Sequence, residues 1–221
     1  MPRAKASAPS SDAPNTAAGT MREQQKQATR ARILRSAMSC LMDLGVARTT
    51  TLEVQRRAEV SRGALLHHFP THADLMSAVI EAIVVRNEQE VARRLQRKSA
   101  HSDPVDRAIH TLVDALKEAS FLAELELWVV ARTDSELRTA LIAAERKALG
   151  DRVRVLDQVF APLKHFAAYQ LVVDTSTEFA RGLAVAGILR SNPQSAEALT
   201  RQWIWAVKQL LPLQPPSLHS P

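Results

Sequence analysis

The twenty residues from Thr50 to Phe69, TTLEVQRRAEVSRGALLHHF, leave little freedom in how they can fold. Thr50 stands three residues before Glu53, the spacing of a capping box, so a helix is expected to start there. Leu52, Val54 and Ala58 are expected to supply its apolar contacts, and Glu59 and Val60 to turn the chain, with Val60 pointing inward. Ser61 can cap a second helix whose first turn holds Arg62, Gly63 and Ala64. Leu65 and Phe69, four apart, bury one face of it. Two short helices across a tight turn, the second opening on small or polar residues, have a shape that a DNA major groove accepts.

With its flanks, this stretch resembles the DNA-binding domain of the tetracycline-repressor (TetR-like) family. The resemblance is carried by Gly45, Thr50, Thr51, Val54, Ala58, Val60, Ser61, Gly63, Leu65, His68, Phe69 and Leu75. It covers about residues 28 to 80 well and the rest in outline. Four positions depart from the family pattern: Gln55 replaces a small Ala, Glu59 the turn Gly, Leu66 a phosphate-reaching Tyr and His72 a Lys with the same task. The resemblance implies an all-α chain, with a three-helix helix-turn-helix DNA-binding domain followed by a helical ligand-binding and dimerisation domain. Arg62 is the expected base reader, since a guanidinium pairs bidentately with guanine, and Gly63, Ala64 and His67 share its groove face. Arg30, Thr50, Thr51, His68 and His72 are expected at the DNA backbone, where contacts position the helix without specifying sequence.

The charge distribution agrees with that placement. Through Pro70 the chain holds eleven Lys or Arg against five Asp or Glu, and the remainder balances at eighteen of each, so the net +6 lies in the first third. A basic module followed by a neutral domain is the electrostatic footprint of a nucleic-acid binder. Gly and aromatic residues are scarce and no segment alternates with period two, which favours helices, and 46% apolar residues suffice for a packed core. The single Cys40 can make no internal disulfide and suits a reducing cytoplasm as a buried apolar residue. There is no secretory h-region and no apolar run long enough to span a membrane.

Along the chain, residues 1–21 read as a disordered tail rich in Ala, Ser and Pro, residues 22–75 as the DNA-binding domain, 76–211 as the helical ligand-binding and dimerisation domain, and 212–221 as a loose tail. The first helix is expected from about Arg22 or Ala28 to Leu44, stopped by Gly45. Thr71 with Asp74 starts a long helix to about Lys98, striped by Leu75, Met76, Val79, Ile80, Ile83 and Val84 and charged from Arg86 on. Further helices are expected at about 104–118, 120–132, 134–160, 166–191 and 195–211. Asp103-Pro104 opens the first of these, Thr133 with Glu136 forms a capping box, and Pro162 and Asn192-Pro193 mark breaks.

The chemistry expected is recognition. There is no Gly-rich phosphate loop, nucleophile elbow or Cys cluster, so neither catalysis nor a cofactor is expected. His67, His68 and His72 lie close together, but Pro70 interrupts any helix that would align them on a metal, and no metal site is expected. The resemblance implies a ligand pocket, for which Phe121, Leu125, Trp128 and Phe179 are candidates, with Arg132 and Glu178 as polar anchors. It also implies a homodimer, with Gly182 and Ala186 of one helix and Trp203, Ile204, Val207 and Leu210 of the last at the interface. The expected partners are a near-palindromic DNA operator, a second copy of the chain and a small, largely apolar effector, and the expected function is repression. The alternative is a dimeric helical interaction protein with a degenerate helix-turn-helix, which the Glu59, Leu66 and His72 departures keep open.

Overall fold

The computed structural model describes residues 16–97, 100–189 and 192–213. Among them the chain is all-α: α1 (Thr16–Leu44), α2 (Thr51–Ala58), α3 (Arg62–His68), α4 (His72–Gln96), α5 (Pro104–Leu116), α6 (Ala119–Val130), α7 (Ser135–Val159), α8 (Tyr169–Gly187) and α9 (Pro193–Leu210). Short 3-10 turns sit at Val46–Arg48 and Ala161–Leu163, the second at the break expected from Pro162.

Side-chain caps set most helix starts. Thr71 and Asp74 form a reciprocal capping box at α4, Asp103 accepts from the Val105 and Asp106 amides before Pro104, and Asn192 accepts from Gln194 N before Pro193. Three expectations are corrected. Helix α1 begins at Thr16, inside the stretch expected to be disordered, because Glu, Gln, Lys, Arg and Ala from Met21 onward are strong helix formers. The cap of α7 is Asp134, which accepts from Leu137 N, because the Thr133 hydroxyl donates back to Val130 O. Leu52 is 73% exposed, since Val54 and Ala58 define the inner face of α2 and Leu52 lies on the opposite side. Residues 1–15 and 214–221, most of both expected tails, lie outside the described residues.

Two apolar cores result. The first joins Ile33, Cys40 and Leu41 of α1, Val54, Ala58, Leu65 and Phe69, and the first half of α4 to Ala123 and Leu127 of α6 and Leu141 and Ala144 of α7. The helices expected to read DNA therefore share a core with the segment that follows, across the boundary expected near residue 75. Burial pushes the Cys40 thiol pKa up, as for an inert core residue. The second core gathers Val91, α5, α8 and α9 around Phe160. Helix α4 runs through both, and α7 packs along it.

One contact ties α6 to the helix-turn-helix. Glu126 Oε1 accepts from Val46 N at 2.8 Å, directly after Gly45. Gly45 has φ 80 and ψ 176, a conformation open only to glycine, and its N–H closes α1 on Leu41 O. Gly45→Ala is expected to cost more than the roughly 1–3 kcal/mol of backbone strain alone, because the new Cβ would lie 2.8 Å from Glu126 Oε1. In a Glu126→Ala background only the strain should remain. Denaturant unfolding of the four proteins measures the difference, and an equal cost in both backgrounds would show that the carboxylate does not press on Gly45.

Candidate nucleic-acid interface and regulatory cavity

The reading helix α3 is held from behind. Leu65 and Phe69 are each 2% exposed in the first core, and Ser61 caps the helix by accepting from Ala64 N at 3.1 Å. That leaves Arg62, Gly63, Leu66 and His67 exposed on one side, with Ala64 and His68 half-buried. A Cβ built on Gly63 meets only Ser61 Oγ, at 4.0 Å, so the glycine keeps this face flat rather than relieving a clash. The groove-facing residues expected from the sequence thus share a surface, with Ala64 only at its edge.

The backbone candidates surround that surface with different roles. Arg30 lies over the Phe69 ring, 5.0 Å from its centroid, which fixes the guanidinium beside the end of α3. Thr50 caps α2 by accepting from Glu53 N, which leaves its O–H able to donate outward, and Thr51 is half-buried. Only half of the expected capping box forms, because Thr50 N already donates to Arg48 O and Glu53 turns to Arg56 and Arg57. Those pairs hold the Glu53 carboxyl well below its usual range, at about 2. His72 is also committed: its Nε2 lies 3.0 Å from Thr49 O and can donate to that carbonyl. It clamps the Thr49-Thr50 corner from within the protein, whereas a Lys reaching for phosphate would point away from it.

Burial, followed by the positive neighbours His67, Lys26 and Arg30, lowers the His68 pKa. Lys26 was missed in reading the sequence, although Arg22, Lys26 and Arg30 are spaced four apart and so share a face of α1. Among the described residues no group of three His, Cys, Asp or Glu side chains could hold a metal.

Between the two cores lies a polar layer that the sequence did not disclose. Arg152 of α7 pairs with Glu88 at 2.7 Å, Glu145 at 2.5 Å and Glu124 at 3.6 Å. Asn87 Nδ2 donates to the Glu124 carboxylate and to Ser120 O. Burial, then a hydrogen bond with Glu145, pushes the Glu124 pKa up to about 7. Burial also raises Glu88, whereas at Glu145 burial, the largest single influence, is outweighed by the bonds to Arg152 and Glu124 and the guanidinium charge together, and the pKa falls. Next to this layer is a cavity of about 30 Å³, lined by Phe121, Leu112, Leu116, Glu88, Thr177, Arg152 and Arg181. A groove of about 520 Å³ between α7 and α8 shares Arg152, Leu156, Thr177 and Arg181 with it.

The expected pocket residues do not converge. Phe121 lines the cavity and Glu178 the groove, but Trp128 and Arg132 line a separate surface cleft. Phe179 stacks on Trp203 at 5.3 Å, and Leu125 packs against the second core. The expected dimer residues also divide. Ile204 and Val207 are buried within the chain at 7% and 0% exposure, Leu210 packs against the second core, and Trp203 donates to Ser176 Oγ. Gly182 is exposed and Ala186 half-buried. The apolar side chains facing outward from α8 and α9 are Val185 and Trp205, with Ile188 and Leu189 just beyond α8. Apolar residues occur on both sides of α9, so its periodicity alone does not choose the outer face.

A capped short helix presented on a basic three-helix module defines a helix-turn-helix protein. Residues 33–79 match the model of the family described as bacterial regulatory proteins, tetR family. An uncharacterised HTH-type transcriptional regulator of Mycobacterium tuberculosis is 29% identical over 119 residues, 54% of this chain and 61% of its own length. The HTH-type transcriptional regulator CymR of Pseudomonas putida is 28% identical over 51% of this chain and 56% of its own. The chain thus spans about three fifths of these relatives. A transcriptional regulator from Rhodococcus shares the fold with a TM-score of 0.62 at 20% identity, over 84% of this chain and 99% of its own. The multidrug binding protein EbrR, solved with ethidium, gives 0.55 at 21% identity over 84% of this chain and 99% of its own. Residues 33–79 thus match the tetR family's helix-turn-helix domain, and the solved neighbours share the fold of the chain.

Glu59, in the family's glycine position, is left-handed at φ 51 and ψ 48. Glu59→Gly is expected to stabilise the protein by about 1 kcal/mol, the cost of a side chain in that conformation. Urea unfolding of the variant would show this as a higher midpoint, and a lower midpoint would refute it.

Proposed function

We propose that the protein is a dimeric, ligand-responsive transcriptional repressor of the cytoplasm, which binds a near-palindromic operator and is released by a small, largely apolar effector. The observation that carries this reading is the exposed Arg62, Gly63 and His67 face of α3, flanked by Lys26 and Arg30. Arg62 reads bases from the first turn, while Arg30, Thr50, Thr51 and His68 meet the phosphates. His72 positions the Thr49-Thr50 corner through its hydrogen bond.

The second copy covers the outer face of α8 and α9, where Val185 is 50% and Trp205 66% exposed. Two-fold symmetry then sets two reading heads about 34–36 Å apart, one DNA turn. The effector enters the groove between α7 and α8, and Phe121, Leu112 and Leu116 give it an apolar lining. Its binding is felt by α4, which carries Glu88 at the cavity and the Thr71 cap beside the reading head, and by α6, whose Glu126 holds Val46. Repression is relieved to the extent that the effector prefers the conformation with misplaced heads.

Footprinting of the DNA beside the protein's own gene tests the reading: a protected palindrome is expected. Arg62→Ala should then cost about 1–3 kcal/mol on that operator and little on random DNA. Equal losses on both would make Arg62 a phosphate contact, and no protected palindrome would favour the interaction protein with a degenerate helix-turn-helix.

Light scattering tests the dimer. Val185→Asp combined with Trp205→Glu should give a folded monomer with weakened operator binding. An unchanged mass would place the interface elsewhere.

A further inference from the structure

We propose that Leu66 is a specificity-determining residue, which selects a thymine in the major groove through the C5-methyl group of that base, close to the base pair met by Arg62. This rests on the reading of α3 as the DNA-reading helix and names a chemical feature of the operator that the helix selects.

The protein interior does not claim this leucine. Leu65 and Phe69, each 2% exposed, anchor α3 to the first core, whereas Leu66 is 39% exposed. It lies on the side of the helix that also leaves Arg62, Gly63 and His67 exposed. A lone exposed leucine is ordinary on a protein surface, so its position decides what it can do. Leu66 stands four residues after Arg62, one turn further along the same flank of the helix. Gly63, between them, carries no side chain, and a Cβ built there would meet only Ser61 Oγ, at 4.0 Å. The backbone of this turn can therefore approach base edges closely, and it brings Leu66 to them. Leu52 of α2 is more exposed still. The first helix of such a pair crosses the DNA backbone, so a base contact falls to α3.

The chemistry of the side chain then selects the base. Leucine has no donor for a phosphate oxygen and no acceptor for a base amine. Its branched end gains only against another apolar surface, and thymine presents one in the major groove as its C5-methyl group. The edges of guanine and adenine carry hydrogen-bonding groups there, and covering them with leucine would leave those groups unpaired. The preference for thymine thus has an attractive and a repulsive part. One helical turn rises about 5.4 Å and base pairs stack at about 3.4 Å, so the thymine lies within about two base pairs of the pair that Arg62 reads.

The test uses the full chain and the DNA protected in the footprint. Replacing each thymine of a half-site in turn by deoxyuridine removes one methyl group and leaves the pairing edge unchanged. At one thymine in that window, deoxyuridine should weaken the wild type about fourfold, as for one methylene fewer buried, and leave Leu66→Ala unaffected. Leu66→Gln, which keeps the length and loses the apolar end, should be equally indifferent. At the same position the wild type should prefer a 5-methylcytosine–guanine pair to cytosine–guanine, because the methyl group returns to the same place in the groove. On random DNA the wild type and Leu66→Ala should bind alike and with the same salt dependence, since no phosphate contact is lost. Melting curves of both variants report whether they are folded. If no thymine in the window distinguishes the wild type from either variant, the inference fails and a protected palindrome still supports the DNA-binding reading. Equal losses for Leu66→Ala on operator and random DNA would make Leu66 a structural support of the helix and also overturn the inference. Absence of any protected DNA would overturn both the inference and the DNA-binding reading.

Discussion

The structure depends on how one half-buried arginine is neutralised. Arg152 sits between two apolar cores with Glu88, Glu145 and Glu124 around it. Burial lowers its pKa, and its bonds to Glu145 and Glu88 more than reverse that effect, so it stays charged. Removing one partner of such a set typically costs about 3–5 kcal/mol, whereas an apolar replacement of the whole set is often tolerated. The layer is therefore a poor way to add stability and a good way to fix register. Glu88 must face α7 for the pair to form, which sets the rotation of α4 over its whole length. A change in that pairing can turn α4, and α4 begins at the reading head.

Two mechanical links run from the layer to the helix-turn-helix. The first is α4, whose start is fixed by the Thr71–Asp74 box and by His72 on Thr49 O. The second is α6, which places Glu124 in the polar layer and Glu126 on Val46 N, two residues apart on one rigid element. Because Ala123 and Leu127 of α6 also share the first core with α1 and α4, the reading head cannot rotate without repacking that core. Close-packed cores have discrete arrangements rather than a continuum, which suits a device with two states.

Local signals made much of the fold legible. The starts at Thr71 and Asp103 were readable because a cap and its N–H partners lie within three residues, whereas Asn192-Pro193 was read only as a break and the last helix starts at Pro193, earlier than the expected 195. Val79, Ile80, Ile83 and Val84 were readable as core because they repeat at helical spacing. The polar layer was not. Asn87, Glu88, Glu124, Glu145 and Arg152 come from three helices, and a charged run such as the second half of α4 looks like a solvated face when its packing partners are unknown. Thr133 failed for a related reason: two hydroxyl or carboxyl caps stood side by side, and the hydrogen bond of Thr133 to Val130 O decided between them. The outer face of α9 was hidden because Ile204 and Trp205 are equally apolar and only the packing of α5 selects the one to bury.

The basic character of the first third also changes meaning once it is folded. Arg56 is paired with Glu53, and Arg57 with Glu53 and Asp43, so α2 contributes little net field to DNA despite its two arginines. Their bonds instead lock α2 to α1 through Ser39 and Asp43. The exposed basic groups on the proposed DNA face are Arg22, Lys26 and Arg30 along α1 and Arg62 at the start of α3. These groups lie on two helices whose relative position is fixed by Phe69, which is buried in the core and stacked under Arg30. In the proposed reading, phosphate contact and base contact are therefore set by the same core side chain, and any shift of α3 against α1 disturbs both at once.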